Sequence, residues 1–318
     1  MSNGVMNTEQ ATQAARALRQ ELARGDVALA GVAPVLSHLL ASPGQSLVSE
    51  DILARMRGML GDLAHQLIAA EHAASGTNSG VNPERAQELA SRLASSSILV
   101  SHVYAIAMEN QLSERLEQNA AIDQVLTPLM QELIASDDDA VAELAMATMS
   151  AQARFVQAQR RMDLPLGELP AELFLDAIAC WRESAKDAEE EVLDRAGQAL
   201  RSEFDESNGR LGLLTRLVGS LAGGIRAALD LEHAGVALFV TALARKSRQA
   251  RELAILSCHE RQAVRFALAL RGVGLKHEEM VQQFLLVHRN LSLPDSVSGI
   301  APDAALTLLK STATGRAD

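Results

Sequence analysis

The chain has 318 residues and a formal net charge of −11 at pH 7; 48% of its residues are apolar, 22% charged and 3% aromatic. That apolar share excludes bulk disorder. The dominance of Ala and Leu, with aromatic residues scarce, excludes a mainly β fold, and the acidic surplus argues against nucleic acid or an anionic membrane as the principal partner.

Helical periodicity runs along almost the whole chain. Ile52, Met56, Met59, Leu60, Leu63 and Leu67 recur on one face, which predicts an amphipathic helix. Ser49 stands in front as its N-cap, and Glu50 and Asp51 suit the positive end of the helix dipole. Asn82–Pro83–Glu84 opens a second helix, predicted to run to about residue 119. Thr127–Pro128 opens a third. Asp137, Asp138 and Asp139 open a fourth, with Val141, Ala145, Met149, Gln152 and Val156 on one face. Further helices are predicted over 171–203, 210–229, 232–246, 248–257, 259–271, 277–289 and 302–311.

No strand pattern appears, so the predicted fold is all-α. It is a multi-helix array, either two helical subdomains or a short α-solenoid-like stack of helix pairs. Residues 34–40 (PVLSHLL) faintly repeat as 124–130 (QVLTPLM), but no constant period emerges. Residues 42–45 and 75–80 have the composition of a turn and a flexible loop. Residues 164–170 carry two prolines and a glycine, and are taken as the boundary between an N-terminal subdomain (1–163) and a C-terminal one (171–318).

No apolar run approaches the ~20 residues that span a bilayer, and the first residues lack an apolar signal core. The two cysteines, Cys180 and Cys258, make no disulfide framework. The expectation is a soluble cytoplasmic protein with no membrane partner.

Candidate chemistry is thin. Asp62, His65, Glu71 and His72 cluster in sequence, but one helix rarely supplies the three or four converging ligands that a metal needs. Cys258 precedes His259 near a predicted helix start, where a thiol can be activated. Neighbours on a helix point about 100° apart, and Ala-rich helices bury Cys as a small apolar residue. No phosphate-binding glycine motif and no nucleophile elbow occurs. No cofactor, no metal and no catalytic residue is expected, and the chain is read as not being an enzyme.

Charge is unevenly spread. Between Thr241 and His277 stand Arg245, Lys246, Arg248, Arg251, Arg261, Arg265, Arg271 and Lys276, against only Glu252 and Glu260. The first seven are the candidate anion- or partner-binding residues. The function this supports is a non-catalytic interaction or regulatory scaffold that binds a protein partner. The alternative is a small-molecule- or nucleic-acid-binding regulator using the basic helices of 241–277. Low aromatic content removes the stacking platform that single strands need.

Residues 210–218 (RLGLLTRLV), 233–239 (HAGVALF) and 268–275 (LALRGVGL) resemble a family of all-helical, HEAT-like proteins common in alphaproteobacteria. The resemblance covers about 207–287. It implies stacked helix pairs and a bacterial cytosolic protein. It implies no reaction and transfers no functional residue.

Overall fold

The computed structural model describes residues 8–41, 49–77, 80–185 and 188–313. The structure is 81% helical, with 14 helices of 7 or more residues, and no strand occurs among the described residues.

Helix α1 (Thr8–Ala41) runs through Pro34. The turn expected over 42–45 lies outside the described residues. Helix α2 (Glu50–Ser75) starts where the sequence places it: Ser49 Oγ accepts the Ile52 N–H at 3.3 Å. Gly76, left-handed at φ 70°, ends it. Helix α3 (Pro83–Leu93) is capped by Asn82, whose Oδ1 accepts the Glu84 N–H at 2.9 Å.

The expected run to residue 119 breaks, and α4 (Ser97–Ala120) starts anew. Ser96 explains the break. Its hydroxyl takes the Leu99 N–H at 3.4 Å and donates to Asp176 at 2.6 Å, so the side chain competes with helix continuation. Helix α5 (Pro128–Ile134) follows, then α6 (Asp139–Arg160), whose N-cap Asp138 accepts from Ala140 and Val141. The helix expected over 171–203 is two, α7 (Ala171–Ser184) and α8 (Glu190–Glu203). Ala185 leaves the helical region at ψ 55° and turns inward.

Helix α9 (Arg210–Ser220) gives way to a 3-10 segment, Ala222–Leu229, in a glycine-containing stretch where the α-helix is weak. Helix α10 (Leu231–Ser247) is interrupted by Gly235 at φ 69° and ψ 171°. A Cβ there would lie 2.4 Å from Thr127 Cγ2, so both conformation and space demand glycine. The chain closes with α11 (Arg251–Ser257), α12 (Ala263–Gly272), α13 (His277–Val287), the single turn α14 (Asp295–Ser298) and α15 (Pro302–Ala313).

Two compact units form, and they do not follow sequence order. The first comprises 1–31, 111–132 and 221–318; the second comprises 32–110 and 133–220. The first has α12 at its centre, with residues 265–270 all buried, packed by α10, α11, α13, α14 and α15. Phe266 lies 6.3 Å from Phe239 and 6.2 Å from Phe284, ring centre to ring centre. In the second, the α2 stripe forms the core: Met56, Met59, Leu63 and Leu67 are wholly buried, against α3, α7 and α8. Each such side chain contributes roughly 1.5–3 kcal/mol of hydrophobic stabilisation. Helix α6 packs on α9 in the same unit.

The 164–170 segment, expected as the boundary, lies inside the second unit. Its backbone is held by α2. Asp62 Oδ2 accepts the Leu164 N–H and Gln66 Oε1 the Leu166 N–H, each at 2.8 Å, while Leu164, Leu166 and Leu169 are buried. Two prolines stop a helix there, but satisfied backbone groups and buried leucines make the segment part of the core.

Candidate partner-binding surface

Helix α10 is apolar and buried over most of its length, then emerges at Arg245 and Lys246. Ser247 turns back inward, its hydroxyl donating to the Leu243 carbonyl at 2.6 Å. Arg248 ends the helix in the left-handed conformation, at φ 58° and ψ 40°, with its N–H on the Ala244 carbonyl. Glycine is the usual residue at such a position, and an L side chain costs about 1–2 kcal/mol there. Here the position carries an exposed arginine instead.

Arg245, Lys246 and Arg248 are thus three exposed cations within four residues at the negative end of a helix dipole. Arg261, just before α12, is exposed too. None of these four makes a side-chain ion pair among the described residues.

The other three expected residues are used within the fold. Arg251 is half-buried, and its Nε donates to Thr241 Oγ1 at 3.1 Å, folding the side chain back on α10. Arg265 is only 1% exposed: its guanidinium pairs with Asp26 of α1 and reaches Gln249 Oε1 at 3.3 Å. Arg271 is half-buried, its Nε donating to the Ile300 carbonyl at 2.5 Å. Arg265 and Arg271 are therefore not surface anion ligands. The near-helical spacing of Arg261, Arg265 and Arg271 builds no exposed basic stripe of the kind that tracks a nucleic-acid backbone.

The remaining chemistry-bearing residues point apart. Asp62 turns to the Leu164 backbone, with burial pushing its carboxyl up from the usual range. Glu71 accepts from Arg85 at 2.6 Å and from Trp181 Nε1 at 3.1 Å. His65 Nδ1 lies 3.1 Å from its own helix carbonyl at Gly61. Among the described residues no group of three or more His, Cys, Asp or Glu is placed to hold a metal ion.

The Cys180 thiol is pushed up by burial and by Asp176 and Glu183, the opposite of an activated nucleophile. Cys258 Sγ donates to the Ala254 carbonyl at 3.6 Å, while His259 Nδ1 accepts the Arg261 N–H at 3.2 Å, so the two neighbours serve different backbone groups. No helix among the described residues is long and apolar enough to cross a membrane.

One buried ion pair has no signature in local sequence. Arg210, 2% exposed, sits at the start of α9 with Glu109 on its guanidinium, Gln152 beside it and the Phe155 ring 3.6 Å beneath. Its backbone N–H goes to Glu168 at 2.8 Å. Every partner lies more than 40 residues away along the chain, beyond any local pattern.

Comparison with protein-family models, with curated proteins and with solved structures finds no match to this chain.

Proposed function

We propose that this protein is a non-catalytic helical interaction protein that receives an acidic segment of a partner protein on the cationic end of α10. One observation carries the reading: Arg245, Lys246 and Arg248 stand exposed within four residues at one helix end, with no ion pair among the described residues, in a chain of net charge −11. Bases at a helix C-terminus favour the dipole by about 0.3–1 kcal/mol each. That accounts for a basic last turn, but not for an arginine at a left-handed position suited to glycine. Strain of that kind is kept where a side chain is needed.

Such a surface would speed encounter and select register more than it adds affinity. Because its charges are solvated, it would weaken as salt rises. Two cysteines that form no disulfide suit a reducing compartment, and we place the protein in the cytoplasm. A HEAT-like arrangement of its helix pairs belongs to the same proposal.

The test is affinity capture from cell extract at low and raised salt, comparing the wild type with a variant carrying Arg245→Glu, Lys246→Glu and Arg248→Glu. A protein retained by the wild type at low salt should be released by added salt and absent with the variant. Identical capture by both chains would overturn the proposal.

A further inference from the structure

In the second unit a groove of about 290 Å³ opens between α2 and α3. Its apolar wall includes Leu60, Ala86 and Ala90. Two polar side chains line it, one from each helix: His65 of α2 and Gln87 of α3. No acid lines it among the described residues. Arg57 also lines it but already has a partner within the protein, so the ligand class does not turn on it.

Two glycines of α2 separate packing from vacancy. Gly58 is required by contact: a Cβ there would lie 2.5 Å from Met162 Cβ. Gly61, one turn on, also stands in the helix interior, where glycine is destabilising relative to alanine. Yet a Cβ at Gly61 would meet nothing within 4 Å. Packing does not ask for glycine at this position. Its effect is to leave the groove open at the turn over which the His65 ring folds back.

The same glycine sets what His65 can offer. The Gly61 carbonyl only accepts, so the proton of the neutral imidazole sits on Nδ1, 3.1 Å from that oxygen. Nε2 is left as a bare acceptor. On α3 the Ser91 hydroxyl is spent on the Gln87 carbonyl at 2.8 Å. The Gln87 amide itself has no partner among the described residues and supplies a donor.

We propose that this groove binds a small neutral aromatic ring bearing one hydroxyl, a ligand of the phenol class. The ring would lie over Gly61 against Leu60, Ala86 and Ala90. Its hydroxyl would donate to His65 Nε2 and accept from the Gln87 amide. An acceptor and a donor offered together call for a group that is both, and a hydroxyl is the smallest such group. A bare hydrocarbon would leave both side chains unpaired. A carboxylate would set its charge against the Nε2 lone pair, and a methyl ether could accept but not donate. The volume is at the lower end of small-ligand sites, which suits a single ring.

The probe is para-cresol, titrated calorimetrically into the full chain at about pH 8, where imidazoles are neutral and phenols keep their proton. The controls are para-methylanisole and para-toluate. Saturable one-site binding of cresol is expected, with both controls weaker by at least about tenfold. Gly61→Phe should fill the groove and weaken cresol by at least about tenfold, while the thermal midpoint holds or rises, since glycine leaves the helix. Ser91→Trp, at an exposed position of the α3 rim, blocks the same groove should Gly61→Phe fail to fold. His65→Phe keeps an aromatic wall but removes the acceptor, and should erase the preference for cresol over methylanisole. No saturable binding up to the solubility limit of cresol overturns the site. Equal affinity in the folded filled variants places the binding elsewhere and likewise overturns it. Methylanisole or toluate binding as tightly as cresol overturns the hydroxyl class, and so does a preference for cresol that survives His65→Phe.

Discussion

Arg210 and Glu109 meet as a two-pronged pair, Nη1 to Oε1 at 2.9 Å and Nη2 to Oε2 at 3.1 Å, with both side chains 2% exposed. Fixed geometry, the Gln152 oxygen and the Phe155 face together offset the cost of taking two charges out of water. The pair joins α9 to α4 within one unit, adding a fixed polar contact to the apolar packing of α9 on α6.

Removing one partner should hurt far more than removing both. Glu109→Ala leaves a guanidinium buried and should cost about 3–5 kcal/mol. Arg210→Met with Glu109→Leu should recover most of that loss. Urea unfolding of the two single variants and the double variant measures the coupling directly.

Leu63 tests the α2 stripe. It is wholly buried in the middle of the helix, and Leu63→Ala should cost about 2–5 kcal/mol. A loss below about half a kcal/mol in the same urea assay would contradict the burial.

His288 makes acid sensitivity a property of the first unit. Its ring is 1% exposed, with neither nitrogen hydrogen-bonded among the described residues, and lies edge-on to Phe266 with centres 5.5 Å apart. Burial, then Arg115 and His259, lowers its pKa from 6.5 to about 4. The unfolded chain therefore takes up a proton from about pH 6.5 downward that the folded chain refuses until about pH 4. Stability is whole above that window and falls as pH falls through it. At about 1.4 kcal/mol per unit the loss approaches roughly 3 kcal/mol. His288→Phe should flatten the decline between pH 7 and 4.5, read from urea midpoints at each pH.

Three glycine-to-alanine variants should divide by geometry. Gly235→Ala places a methyl group at positive φ against Thr127, and Gly58→Ala presses on Met162; both should lower the thermal midpoint. Gly61→Ala meets open space inside a helix and should stabilise by up to about 1 kcal/mol. A calorimetric scan of the three decides it.

Proteolysis distinguishes a loop from a core segment of loop-like composition. Ser75, Gly76 and Thr77 are exposed, whereas Leu164, Leu166 and Leu169 are buried and bonded to α2. Cleavage near 75–77 should precede any cut in 164–170.

These contrasts show where sequence is informative. The α2 stripe, the Ser49, Asn82 and Asp138 caps and the all-α class are legible because each depends on residues within a turn or two of one another. Spacing groups Arg265 with the surface bases because it carries no information on burial. Its partner Asp26 lies 239 residues away. Arg210 gave no signal for the same reason. Residues 164–170 misled because prolines report only that a helix stops, and say nothing of what binds the backbone afterwards. Gly58 and Gly61 look alike in sequence; only Met162 tells them apart.

Gln262 donates to the Gly25 carbonyl at 2.8 Å, 237 residues back, beside the Asp26–Arg265 pair. On the ribosome, the α1 end of the first unit therefore emerges long before anything it will pack against. The second unit can complete itself meanwhile, since its segments are all synthesised by residue 220. Vectorial synthesis would thus finish the middle of the chain first and close the first unit last, with the early α1 surface waiting throughout. No cut of the gene into two contiguous pieces yields both units whole. Producing either alone would call for a rearranged order of segments rather than a truncation.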